Sequence, residues 1–592
     1  MKYDMKLYKI SFALLLGLGT LTSCDSKLDV SNPNQQTSDI FGQDVSDLEE
    51  SVIACYNHIR MEGTFARVGY MLDVCRGDEV WNSSQVWYMP FDDLNVAFTD
   101  EIGQWPWRDW YYTIKVCNFV TSELDMDSGN YNESLQRIKG QALFLRGLSY
   151  YMLAGYYQNP MLITDYSVYN SLTDLYQPNS SYDEVWDQVE KDFAEAMKLL
   201  PKRDAGGQWA QGRATCGAAA GFYARALMMR HKYSEALEVL KAIINGQYGT
   251  YKLMANYGDN FREGSKYENN DESLFEVQFL DYGSQGVDDE WTPVNTSPNA
   301  TQGSAIESNF GPGDCGGWAD LSASPWLYNL FKAERTTSGG LDPRLYWTIG
   351  TYEAEWDGFE YGNKIYNVKQ TDEWTNKDIP VVTNNNYGGL PVAKNTNLRT
   401  GLYDKVVTGL HCGINLRIMR YSDVLLRAAE CENEVSGPTQ QAIDWINQVR
   451  NRAGLANLNL SDFDSKDKLF EQIANVERPK EFGCEFGRGF DLIRWGWFYD
   501  AGRLQQLKDH AAVNFWTKSN YADGVIDFTP KDAVDYSSCS KSSFDNWING
   551  HEFFPIYQGT LNDNPNLVGN SANNSTSNAD QLYGPVHPVV NL

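Results

Sequence analysis

Almost nothing in this chain is built to cross a membrane or to grip a metal. Apart from one short apolar run near its start, no hydrophobic stretch approaches the roughly 20 residues that span a bilayer, which reads the rest of the chain as aqueous. Histidine is scarce, six in 592 residues. No HExxH, GxSxG or phosphate-loop pattern occurs. Catalysis, a metal centre and a cofactor therefore lack positive support, and none is expected. Basic residues are also short: 49 Lys and Arg against 78 Asp and Glu leave a net charge of -29. That charge repels phosphate backbones and argues against nucleic acid as a partner. Cysteines are scattered, with no CxxC and no zinc-like spacing. Cys117, Cys216, Cys431 and Cys484 fall in helical patterns and read as small buried hydrophobes.

What is present begins at the first residues. Lys2, Lys6 and Lys9 precede an apolar run from Ile10 to about Leu18. The run is too short to span a bilayer and reads as a secretory signal. It ends in LTSC, which resembles a bacterial lipobox with Cys24 as the lipidated first residue of the mature protein. This predicts a signal peptide over 1–23 and a polar, lipidated tether over 24–42. Acyl chains, at about 0.8 kcal/mol per buried methylene, would then be the chain's one contact with the membrane.

The aromatic share is 14 %, with 18 Trp and 36 Tyr, more than a core alone requires. Trp81 and Trp87 stand in a polar, turn-like segment, VWNSSQVWYMP; Trp291 and Trp318 stand near Asn295 and a GPGDCGG run. An indole face matches the C–H face of a pyranose while polar neighbours bind its hydroxyls. These four tryptophans are expected to form an exposed platform, with Arg76, Asp78 and Glu79 as hydroxyl partners. Trp105, Trp107, Trp110 and Trp326 are assigned to the core, as is Trp495 in LIRWG. Asp288, Asp289 and Glu290 lie beside Trp291. They suit calcium, sugar hydroxyls or an acid–base pair, and equally a solvated loop. Glu477, Glu481 and Glu485 recur every four residues. Acid–arginine pairs with Arg478, Arg488 and Arg494 explain them more simply than glycosidase chemistry.

Helical periodicity dominates two blocks, residues 43–260 and 414–510. Ile138, Ala142, Leu145, Leu148 and Met152 mark one face. RATCGAAAGFYARALMMR and HKYSEALEVLKAII form a pair like a tetratricopeptide unit, with small residues from Gly217 to Gly221 for close helix contact. Ile414, Ile418, Tyr421, Leu425 and Ala428 form a further stripe, and TQQAIDWINQVRNRAGL stops at Gly454. Residues 261–413 and 511–592 read as loops and short strands, and 571–580 as a mobile tail.

Six ordered segments carry a family resemblance: KGQALFLRGLSYYMLAGYYQNPMLI, QGRATCGAAAGFYARALM, LRIMRYSDVLLRAAE, NQVRNRAGL, ERPKEFGCEFGRGFDLIRWG and FFPIYQGTLNDNPNL. Together they resemble the SusD/RagB family of Bacteroidota outer-membrane lipoproteins. Phe486 and Tyr557 depart from the family's usual Gly and Pro, and Pro479 and Gly483 are unusual for a helix interior. The resemblance implies a mostly α single domain over 43–592: a tetratricopeptide-like helical-pair scaffold with a loop-rich, irregular ligand-binding lobe. It implies non-catalytic binding of a glycan or other nutrient at the outer membrane, facing the cell exterior. It also implies a SusC-like TonB-dependent transporter as partner. Two alternatives stand beside it: an endo-acting glycan hydrolase using Asp288–Glu290, and a binder of peptide or another nutrient.

Overall fold

The computed structural model describes residues 44–82, 85–124, 132–203, 212–280, 303–311, 317–350, 390–400, 409–511, 544–569 and 585–592, and the backbone of three short antiparallel strand pairs between 360–377 and 521–526. Cys24, Asp288–Glu290, Trp291 and the 571–580 tail lie outside the described residues. Two compact units are distinguished, Met1–Glu50 and Ser51–Leu592. The first is described only at 44–50, the start of helix Val45–His58.

The second unit is mostly helical. Helices Gln104–Glu123, Glu133–Tyr157, Tyr182–Leu199, Cys216–Met229 and Tyr233–Ile244 each pack on the next. The row then passes to Tyr421–Ser436 and Gln440–Arg452. Tyr182–Leu199, Tyr233–Ile244 and Gln440–Arg452 bury one stripe each, whereas Glu133–Tyr157, Cys216–Met229 and Tyr421–Ser436 are buried on nearly every side over most of their length, so the row is held by stacking and not by any helix alone. Local chemistry sets the starts. Asn132, Thr215 and Thr439 side chains each accept from a backbone N–H of the first turn. Ser181 and Glu184 form a reciprocal capping box.

Three readings change. Ile414 and Ile418 are not on the helix face of Tyr421. Leu416–Arg420 is a strand, antiparallel to Ser273–Val277, and the helix begins at Tyr421. Gly217 and Gly221 do not bring two helices together. A Cβ at Gly221 would meet Met419 Sδ at 2.5 Å, so the bare backbone admits the strand; Gly217 faces Tyr251 in the same way. Pro479 and Gly483 interrupt no helix: a π turn, Ile473–Glu477, precedes Pro479 at the start of helix Arg478–Phe482, and Gly483 caps its end.

Among the described residues, buried charged groups form several clusters, two of them built around Arg420 and Arg478. Arg420 binds Glu272 (2.6 Å), Glu481 (2.8 Å) and Glu485 (2.8 Å). Arg478 binds Asp423 (2.9 Å) and Asp491 (2.6 Å), and Arg494 binds Glu430 (2.5 Å). Glu477, Glu481 and Glu485 are thus structural ion-pair members as expected. Their partners, however, are Arg450, Arg420, Arg452, Arg344 and Lys394 rather than Arg478, Arg488 and Arg494.

Candidate functional site

A three-stranded antiparallel sheet joins distant stretches of the chain: Val80–Asn82 pairs with Leu321–Ala323, which pairs with Leu390–Pro391. Asn82 lies opposite Leu321. The chain leaving Asn82 toward Trp87 and the chain arriving from Trp318 therefore meet at the same end of the sheet. A turn shapes the first arm. Asn82 Oδ1 accepts from Gln85 N (2.9 Å), and Gln85 Oε1 accepts from Trp87 N (3.2 Å). The second arm is held where Trp318 N donates to Ser308 O at 2.7 Å, beside the short helix Ile306–Phe310.

Arg67 stands between the arms. Its guanidinium carbon lies 4.6 Å from the Trp318 ring centroid and 5.8 Å from that of Trp87, within cation–π range for both. Both indoles are half-buried, whereas Arg67 is only 2 % exposed. The rings therefore cover the cation and turn their remaining surface outward. Burial works against the charge of Arg67; Tyr88, Glu62 and Asp320 outweigh it and raise its pKa. Glu62 Oε2 lies 3.7 Å away.

Arg67 is placed by a π turn, Glu62–Ala66, buried throughout. Gly63 makes it possible: a Cβ there would lie 2.4 Å from both Asp109 Oδ2 and the Trp105 carbonyl oxygen. Instead Gly63 N donates to Asp109 Oδ2 at 2.9 Å. Burial raises the Asp109 carboxyl to about 6. Ala66 O accepts from Ala305 N (2.8 Å), tying this turn to the arm of Trp318.

The structure thus brings Trp87 and Trp318 together from the four proposed tryptophans. Trp81 is no part of an exposed platform. It sits in the sheet opposite Ser322 at 2 % exposure, because a strand buried along its whole length leaves its side chains no solvent face. Arg76 and Asp78 are likewise no surface partners of a ligand. Arg76 is buried against the Phe554 ring (4.6 Å) and donates to the Gly155 (3.1 Å) and Glu552 (2.9 Å) carbonyls. Asp78 is buried between Arg488 (2.7 Å) and His510 (2.8 Å); burial acts to raise its carboxyl, but the Arg488 guanidinium and the hydrogen bonds from His510 and Arg488 outweigh it and hold the carboxyl below the usual range. Glu79 is buried too, and burial raises it to about 8. Trp107, Trp110 and Trp495 are core residues, Trp495 donating to Glu430 Oε1 at 2.8 Å; Trp105 is half-buried, and half-buried Trp326 stacks on His510. Arg67 carried no local motif; its one signal was the flanking pair of glycines, Gly63 and Gly69. Among the described residues no His, Cys, Asp and Glu cluster could hold a metal ion, and no helix is long and apolar enough to cross a membrane.

Residues 271–572 match the model of the SusD family, and residues 27–228 match a second model described as starch-binding, associating with the outer membrane. A SusD-like protein of Formosa agariphila is 25 % identical over 526 residues, 84 % of this chain and 90 % of that one. Among solved structures, a SusD superfamily protein of Bacteroides vulgatus superposes with a TM-score of 0.67 at 22 % identity, covering 90 % of this chain and all of the other. Surface glycan-binding protein A of Bacteroides thetaiotaomicron, solved with laminarihexaose, does so with a TM-score of 0.63 at 20 % identity, covering 89 % and 99 %. At those identities the solved structures share the fold. The family match runs across more than half of the chain, through the strand, helix and loop order described above, and the chain belongs to the SusD family.

Proposed function

We propose that this protein binds a glycan at the cell surface without transforming it, and hands it to a TonB-dependent outer-membrane transporter. The observation that carries this reading is the pair of half-buried indoles, Trp87 and Trp318, set on one guanidinium. A buried cation beneath each ring fixes its position, so little side-chain freedom is left to lose when a sugar stacks on it. The laminarihexaose complex of the Bacteroides thetaiotaomicron protein and a laminarin-binding SusD-like structure support the ligand class. The leader, Cys24 and the family model's association with the outer membrane support a lipid-anchored location.

Calorimetry with soluble β-glucan and starch oligosaccharides tests the site. Trp318→Ala should lose about thirtyfold in affinity, the consequence of removing an anchor of about 2 kcal/mol, and should keep its melting temperature within about 2 °C. Unchanged affinity per folded molecule would move the site elsewhere. Release of reducing ends by the pure protein, abolished in Asp289→Asn/Glu290→Gln, would favour the hydrolase instead. The anchor is tested separately: Cys24→Ala should leave the membrane fraction.

A further inference from the structure

Two cysteines from separate helices meet in the core. Cys55, on helix Val45–His58, and Cys117, on helix Gln104–Glu123, are both fully buried with sulfurs 3.6 Å apart. Cys117 Sγ–H donates to Cys55 Sγ, and Cys55 Sγ–H donates to the Thr113 carbonyl oxygen at 4.0 Å. Cys75, Cys216, Cys412, Cys431 and Cys484, the other described cysteines, are buried as well, and none has a sulfur–sulfur contact. A disulfide has an S–S bond of about 2.05 Å, so the two sulfurs have roughly 1.5 Å to close.

We propose that Cys55 and Cys117 are joined as a disulfide in the exported protein. The two positions are 62 residues apart, and the loop they close carries Arg67 and Trp87. The link would therefore staple the segment that presents the aromatic site. In the step, each thiol gives up its proton and the pair gives up two electrons. The oxidant is a disulfide of the cell envelope, a thiol–disulfide oxidoreductase or a small-molecule equivalent. Its S–S bond breaks and leaves as two thiols. Oxidation precedes closure of the core, because burial removes both sulfurs from the oxidant and pushes the Cys55 thiol up, away from the reactive thiolate. The inference rests on the export part of the proposed function, where an oxidising compartment lets such bonds persist.

The full chain is produced through its own leader, fractionated, denatured without reductant and treated with N-ethylmaleimide, and its peptides are mapped. The expected result is a linked Cys55–Cys117 peptide pair in the membrane fraction. The melting temperature should also fall by about 4 °C when the protein is reduced, the effect of opening a loop of this length in a chain of this size. Maleimide on both cysteines of folded protein from that fraction overturns the proposal. Fractionation reads the export reading independently. Should the chain stay in the cytosol, the purified protein is denatured, reduced and refolded with diamide present, so that the sulfurs meet the oxidant before the core closes: the linked peptide upholds the pair and two alkylated thiols overturn it.

Discussion

Asp78 shows what a single buried charge does in this molecule. Its carboxylate has no exposed surface and binds Arg488 with both oxygens while accepting from His510. Removing one member of such a cluster leaves the other charges desolvated and unpaired, at a cost of about 3–5 kcal/mol. Asp78→Ala should therefore lower stability in urea by that order while leaving affinity per folded molecule unchanged. A wild-type urea midpoint with weakened glycan affinity would return Asp78 to the ligand. The tryptophans divide for a related reason. Trp81 and Trp87 share one polar sequence segment, yet one is buried in the sheet and the other is half-exposed on Arg67. Their difference is made by Leu321–Ala323, some 240 residues further along the chain, and no local pattern records it.

At the scale of elements, periodicity located the helices well and failed where a short apolar run was ambiguous. Glu133–Tyr157, Cys216–Met229, Tyr233–Ile244 and Gln440–Arg452 match their sequence patterns because each keeps its stripe for three turns or more. Leu416–Arg420 is five residues of alternating large side chains, buried on both faces, and its spacing from Tyr421 imitates a helix turn. The π turn at Glu62–Ala66 had no pattern to read, since its shape follows from Gly63 and the tertiary contact with Asp109. That dependence can be measured. Gly63→Ala places a methyl group against the backbone oxygen of Trp105, which cannot rotate away. Overpacking of this kind costs about 1–3 kcal/mol. Because the turn carries Arg67, glycan affinity should fall along with the melting temperature. Wild-type stability in Gly63→Ala would show that the turn tolerates a side chain and would remove its role in placing Arg67.

At the scale of the whole molecule, the buried charges make opposite demands on pH. Asp78, Asp423, Asp491 and Glu481 are held below the carboxylate range by the arginines around them, which overcome the burial that acts the other way. Their stabilisation is present above the unfolded values near 4 and is lost as pH falls through the folded ones. Asp73 and Asp109, raised to about 6, and Glu79, raised to about 8, behave in the opposite sense, because burial outweighs their partners. They favour the fold while protonated, and that contribution drains away as pH rises through 6 and then 8. His587 adds to the second group. Burial disfavours its charge, but Glu434 and Asp467 clasp both ring nitrogens at 2.5 and 2.6 Å and raise its pKa. Its stabilisation is complete below the ordinary histidine value and is lost above the raised one. The net charge of -29 pushes the same way, since self-repulsion grows as further carboxylates ionise. The stability optimum should therefore fall at about pH 5 rather than above neutrality. Melting temperatures recorded from pH 3 to 9 at fixed ionic strength should rise steeply to that value and decline beyond it. In His587→Gln the decline above pH 7 should be shallower. A melting temperature that climbs steadily from pH 5 to 8 would mean that the raised carboxyls are relieved by structural relaxation and do not govern the fold.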